Sequence, residues 1–258
     1  GEVGGINTAI ATNSGGYQGI GFAIPVDLAK WVIDQLESNG SVKRAYLGVK
    51  IEPLTNELAK QFQVPSAQGV LVAEVNADTP AAKAGVKEGD VVVSFEGHAV
   101  TSPRDLQAVV ERASVDQPSK LKVIRDGKEV ELSVKLAHLP EDLVVSSQPL
   151  VEQPGSKSND SYRSNDLGLE VSNMTADVAA QLDYEGFEGV LISHVEPGSV
   201  ADRKGLQEGM LVLKVDRQAV TSVKEFQDAV SKASLADGVL FQVRSAGGNR
   251  FLVLSAQE

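Results

Sequence analysis

The chain repeats itself. Gly168 lies 120 residues after Gly48 (168 − 48), and the same offset returns at matching positions without a gap as far as Ser114 and Ser234. Thr55 pairs with Thr175, and Gly69-Val70-Leu71-Val72-Ala73-Glu74-Val75 with Gly189-Val190-Leu191-Ile192-Ser193-His194-Val195. Gly85 and Gly89 pair with Gly205 and Gly209, and Ala99-Val100-Thr101-Ser102 with Ala219-Val220-Thr221-Ser222. An offset held this long marks a duplicated unit. It is too long for a solenoid repeat and predicts two independent modules of ordinary domain size.

Each copy carries the same signals in the same order. A Leu-Gly turn opens a strand, and a short helix follows Thr55 or Thr175 as N-cap. An apolar strand comes next, Val70–Val75 or Val190–Val195. Thr79-Pro80 reads as an N-cap with Pro at the first helical position. Another strand runs through Val91–Phe95 or Leu211–Val215. Ser102-Pro103 and Ser222 start a longer helix, with Leu106, Val109 and Val110 on the apolar stripe of the first copy and Phe226 and Val230 on that of the second. Asp126-Gly127 closes a final hairpin. Many short strands with few helices predict a mainly β, α+β fold, each module a partly open barrel of about 90–100 residues.

The strand opener Lys43-Arg44-Ala45-Tyr46-Leu47-Gly48-Val49-Lys50-Ile51 is the part with chemistry in it. Val49 and Ile51 alternate with Lys50 and Glu52, the period of a half-buried strand. Gly48 permits a backbone turn that points successive amides the same way, and such a nest captures an anion, a peptide's terminal carboxylate above all. The plain alternative is a core strand that starts at a glycine and binds nothing.

Composition narrows the partners. The net charge is −11, against the basic stripe that nucleic acid demands. There are no cysteines, hence no disulfide framework and no thiolate metal site. No apolar run reaches the ~18 residues of a membrane span. The sequence starts at Gly1 rather than Met, so the lack of a leader says nothing about location.

Ahead of the repeat, Val3–Ala11 and Gly19–Ile24 read as strands, joined through Thr12-Asn13-Ser14-Gly15-Gly16 and ended by Pro25. Two strands alone are marginal in water, so this hairpin should belong to a larger sheet. A helix is predicted over 27–39, with Leu28, Trp31, Val32 and Leu36 on one stripe and Asn39-Gly40 as its end. Between the modules, Pro140, Pro149, Pro154 and Gly155 in polar surroundings read as a flexible tether.

The two modules resemble PDZ domains of the bacterial, circularly permuted kind, and Tyr46-Leu47-Gly48-Val49 resembles their carboxylate-binding loop. Gly5-Ile6-Asn7-Thr8-Ala9-Ile10 and Gly19-Ile20-Gly21-Phe22-Ala23-Ile24-Pro25 resemble the last strands of the trypsin-type domain in HtrA/Deg serine endopeptidases. The resemblance divides the chain into a protease remnant with its connecting helix at 1–40, a PDZ module at 41–138, a linker at 139–164 and a second PDZ module at 165–258. It implies the substrate-recognition and regulatory part of a periplasmic quality-control protease built from trimers, binding unfolded or C-terminal peptide segments. A protease-free tandem PDZ adaptor and a chaperone-like holder are the alternatives. The hairpin favours the first, since an adaptor has no use for two orphan strands.

Asn13-Ser14-Gly15-Gly16 is not read as the nucleophile. In that family the nucleophile precedes the Gly-Ile-Asn-Thr stretch, and a trypsin-type triad runs His, Asp, Ser. Here His98, His138 and His194 all follow Ser14. They are expected as surface or strand residues without partners. No catalytic residue, metal or cofactor is expected, and the chain alone should be inactive. The carboxylate is assigned to Tyr46, Leu47, Gly48 and Val49. The side-chain pocket and groove are assigned to Ile51, Leu106, Val109 and Val110 beside Leu47 and Val49, with Lys43 or Arg44 as auxiliary charge. The second-module equivalents Asp166, Leu167, Gly168 and Leu169 form a weaker site, because Asp166 sets a like charge beside the anion nest.

Overall fold

The computed structural model describes residues 1–11, 19–115, 117–139 and 161–255. The turn that holds Ser14 and most of the expected linker lie outside the described residues. The chain divides into two units, Gly1–Arg44 and Ala45–Glu258.

In the first unit, β1 (Gly5–Ile10) and β2 (Gly21–Pro25) form an antiparallel hairpin, followed by α1 (Val26–Asn39). Gly40, at φ +71°, caps α1 in the left-handed region and donates its amide to the Leu36 carbonyl at 2.9 Å. Ile6, Ile10, Ile20, Phe22 and Ile24 of the hairpin stay exposed, as do Ile33 and Leu36 of α1. The unit holds almost no core of its own.

The second unit contains both modules. The first comprises β3 (Ala45–Tyr46), β4 (Val49–Pro53), α2 (Asn56–Gln61), β5 (Val70–Val75), α3 (Pro80–Lys83) and β6 (Val91–Phe95), then β7 (His98–Ala99), α4 (Pro103–Glu111), β8 (Pro118–Arg125), β9 (Lys128–Lys135) and β10 (Ala137–His138). Its sheet runs β4-β5-β6-β8-β9, with β7 on β6, while β3 pairs with β10. The second comprises β11 (Ser161–Ser164), β12 (Leu169–Asn173), α5 (Ala176–Gln181), β13 (Val190–Val195) and α6 (Val200–Arg203), then β14 (Leu211–Val215), β15 (Gln218–Ala219), α7 (Val223–Lys232), β16 (Val239–Ser245) and β17 (Gly248–Leu254). Its sheet runs β11-β12-β13-β14-β16-β17. The architecture is mainly β with short helices in open sheets, as the strand and turn signals lead one to expect.

The helices begin where the caps place them. The Thr55 and Ser102 hydroxyls accept from the Leu58 and Asp105 amides at 3.2 Å each. The Asp105 carboxylate accepts the Ser102 amide in return at 3.0 Å, which completes a capping box. Ser222 repeats the cap with the Glu225 amide at 3.3 Å.

The structure departs from the expectation of independent modules. One hydrophobic cluster spans both: Leu54, Leu58, Phe62, Leu71 and Ile124 of the first module pack with Leu240, Phe251 and Val253 of the second. The Phe62 and Phe251 rings meet edge to face, centroids 5.2 Å apart. The Arg217 guanidinium lies 5.2 Å over Phe62 and bonds Asp126 at 2.6 Å. Glu74 accepts from Arg244 at 2.9 Å and from the Asn249 amide at 3.0 Å. Glu88 accepts from Gln242 at 2.9 Å, and Glu52 from the Phe251 amide at 3.0 Å. Lys50 reaches the Gly247 carbonyl. An apolar centre ringed by polar and charged groups that bond across the junction joins the two sheets into one body.

That polar ring predicts a pH response. Burial pushes the Glu74 carboxyl up, but the Asn249 amide and the Arg244 guanidinium outweigh it and hold the group below its ordinary range. A carboxyl lowered on folding contributes stability above its unfolded pKa and loses it as pH falls through the folded value. Burial raises Glu52 despite the Phe251 amide, so Glu52 acts in the opposite sense. Glu74→Gln should therefore cost most at neutral pH, with the gap to the native chain closing in acid below about 4. Urea midpoints across that range check it, and a gap independent of pH would refute it.

Candidate functional site

The loop before β4 is built by hydrogen bonds on one of its sides. The Leu47 carbonyl accepts the Ala81 amide at 2.9 Å, and the Gly48 carbonyl accepts the Asn76 amide at 3.1 Å. A trans peptide points its carbonyl and amide in opposite directions. With both carbonyls turned toward the β5–α3 connection, the Gly48 and Val49 amides face the other way. Gly48 holds φ +84°, and a Cβ there would stand 2.2 Å from the Thr79 side chain, so only glycine fits. The Tyr46 hydroxyl accepts from the Asn76 side chain at 3.2 Å and ties the loop down from its other end.

Among the described residues, β5 is the one ladder partner of β4. Among the described residues nothing pairs with the outer edge of β4, and α4 packs beside β3 and β4. All the predicted groove residues share one cluster: Leu47, Leu106 and Val110 lie in its buried core, with Val49, Ile51 and Val109 half-buried around them. Leu47, Leu106 and Val110 are 5%, 2% and 5% exposed, so they form a floor, while Val49, Ile51 and Val109 supply the accessible apolar surface. Lys43 and Arg44 are exposed and close the first unit.

The second copy repeats the construction. The Ala201 amide meets the Leu167 carbonyl at 3.0 Å, and the Glu196 amide meets the Gly168 carbonyl at 2.8 Å. Leu167 and Leu169 are buried in the second core, and Asp166 stands exposed in the turn. Two expectations need correction. Residues 161–164, assigned to the linker, form β11, which covers the outer edge of β12. His194, expected without a partner, bonds Glu208 through Nδ1 at 2.8 Å.

Sequence comparison finds one kind of domain in both modules. A PDZ-domain family model matches residues 45–136 and another PDZ-domain model matches 191–244. A probable periplasmic serine endoprotease, DegP-like, from Marinomonas sp. is 40% identical over 226 residues, 88% of this chain and 45% of the relative. A protein of the same description from Chlamydia trachomatis serovar D is 38% identical over 260 residues, 100% of this chain and 49% of the relative. Among solved structures, the HtrA-type protease AlgW with decapeptide is 38% identical, over 54% of this chain and 42% of that one, at a TM-score of 0.48. The chain spans about half the length of the curated relatives it matches.

Proposed function

Since the chain belongs to the DegP-like serine endoproteases of the HtrA/Deg family and carries two PDZ modules, we propose that its first module takes hold of substrate chains. An extended peptide adds as a strand to the open edge of β4 and lies against α4. Its carboxylate rests on the Gly48 and Val49 amides, and its last side chain settles on Val49, Ile51 and Val109 over the floor of Leu47, Leu106 and Val110. The observation that carries this reading is the pairing of an unpartnered strand edge with a loop whose carbonyls are already spent on the opposite side. In the whole protein this module would deliver unfolded or C-terminal segments to a protease domain in the periplasm, with trimeric assembly adding avidity.

Backbone hydrogen bonds of about 0.5–1.5 kcal/mol each and one buried aliphatic side chain of about 1.5–3 kcal/mol stand against association costs of roughly 4–15 kcal/mol. Binding in the micromolar range or weaker, on the order of −6 to −8 kcal/mol, follows, which suits sampling of many chains rather than storage of one. Titration calorimetry of the 258-residue chain with a peptide ending in Val or Leu, and with its C-terminal amide, tests this. The free acid should bind and shift the Gly48 and Val49 amide resonances, and the amide should bind far more weakly. Equal affinity for both would overturn the carboxylate assignment.

A further inference from the structure

The edge of β12 that corresponds to the open edge of β4 is filled by the chain itself. β11 runs antiparallel to β12, with Ser161 opposite Ser172, Tyr162 opposite Val171 and Ser164 opposite Leu169. It thus travels toward the Leu167-Gly168 loop, the polarity a peptide tail would take on β4. Its side chains alternate: Tyr162 and Ser164 turn inward, Ser161 and Arg163 outward. The Tyr162 ring packs edge-on against Phe226 of α7, centroids 6.2 Å apart. Phe226 stands 120 residues after Leu106 (226 − 106), the groove residue of α4. Ser164 is 4% exposed. Its carbonyl accepts the Gly168 amide at 2.9 Å, a bond that has no counterpart at Gly48 among the described residues. The loop amide that would take a carboxylate oxygen here takes a neutral peptide carbonyl.

From this we infer that Ser161–Ser164 is an internal ligand of the second module, and that the β12–α7 groove beneath it is a second peptide-binding site. The resident segment describes what the site accepts: an extended, uncharged-backbone stretch with an aromatic residue two positions before a small polar one. A free carboxylate is not part of that description. Past Ser164 the chain continues into a turn through Asp166, whose charge opposes a terminal carboxylate at the same loop. The second module thereby takes internal aromatic stretches rather than chain ends. The inference stands on the geometry of β11 and does not depend on the reading of the first module.

Because β11 is tethered through the turn Asn165–Gly168, it competes as an intramolecular ligand at an effective concentration of the order of millimolar. A free peptide must displace it. Removing the Tyr162 anchor should tilt that competition, so a capped Ser-Tyr-Arg-Ser peptide, N-acetylated and C-amidated, is the probe. It should bind the Tyr162→Ala chain about tenfold or more tighter than the native chain. Its contact shifts should fall on Gly168, Leu169 and Phe226, and not on Gly48 or Val49. No gain in affinity in a Tyr162→Ala chain of native circular dichroism would overturn the inference. If that variant does not fold, the native chain titrated to millimolar probe carrying a spin label decides. Line broadening at Gly168 and Phe226 supports the site, and broadening at Gly48 and Val49 alone, or nowhere, overturns it. Failure here leaves the acid-against-amide comparison on the first module untouched.

Discussion

Phe251→Ala should uncouple the two modules. The ring is 7% exposed, meets Phe62 edge to face and shares one buried cluster with Leu54, Leu58 and Leu71 across the junction. Truncating a buried Phe costs about 3–5 kcal/mol through lost transfer energy and the cavity left behind. The loss falls on the shared cluster. The second core around Leu169, Ile192, Phe226 and Phe241 and the first around Val72, Phe95, Leu106 and Leu121 keep their own side chains. Scanning calorimetry should therefore turn one cooperative transition into two, the less stable module melting first. The Phe251 amide keeps its bond to the Glu52 carboxylate in the variant, so the change read is that of the ring. An unchanged single transition would show that the interface carries little of the stability.

Arg125→Ala is expected to damage the first module by a similar amount for a different reason. Asp90 is 1% exposed. Arg125 grips it with two bonds of 2.7 Å, from Nε and Nη2, and also donates to the Gly85 carbonyl at 2.8 Å. The remaining donor to Asp90 is the Lys87 amide at 2.8 Å. Removing the guanidinium strands a buried carboxylate, a change worth about 3–5 kcal/mol. The second module shows how the same position does without the pair: Met210 stands where Asp90 does and is buried in that core. Asp90→Met combined with Arg125→Ala should thus be less harmful than Arg125→Ala alone, because an apolar side chain replaces the stranded charge. Urea denaturation of the two variants measures the difference, and a double variant weaker than the single would contradict the argument.

Much of this fold was legible before any coordinates. Thr55, Ser102 and Ser222 announce their helices because a cap works through bonds within three residues. Gly48 and Gly168 announce their loops because no other residue tolerates that backbone in that space. The apolar runs at Val70–Val75 and Val190–Val195 are short, rich in β-branched residues and opened by glycine, so they read as strands without help. Ser161–Ser164 did not. A polar tetrapeptide beside a Pro- and Ser-rich stretch has no strand signal, and its one informative residue, Tyr162, gains meaning only when Phe226 stands opposite. Glu52 reads as the wet face of an alternating strand, and nothing local to it, to Glu74 or to Glu88 says that Phe251, Arg244 and Gln242 will cover them.

By itself, then, the amino-acid order determined two copies of one module, their caps, their glycine-dependent loops and the negative charge that excludes nucleic acid. Those features rest on short-range sterics and on periodicity, which a single copy already contains. Only the tertiary structure decided that the copies share a core and that one strand edge is open while its counterpart is filled. These are statements about which surfaces meet, and two modules with the same turn and cap signals differ in them because their neighbours differ. The duplicated loop is the clearest case: Gly48 and Gly168 are made alike, yet the Gly168 amide already holds the Ser164 carbonyl.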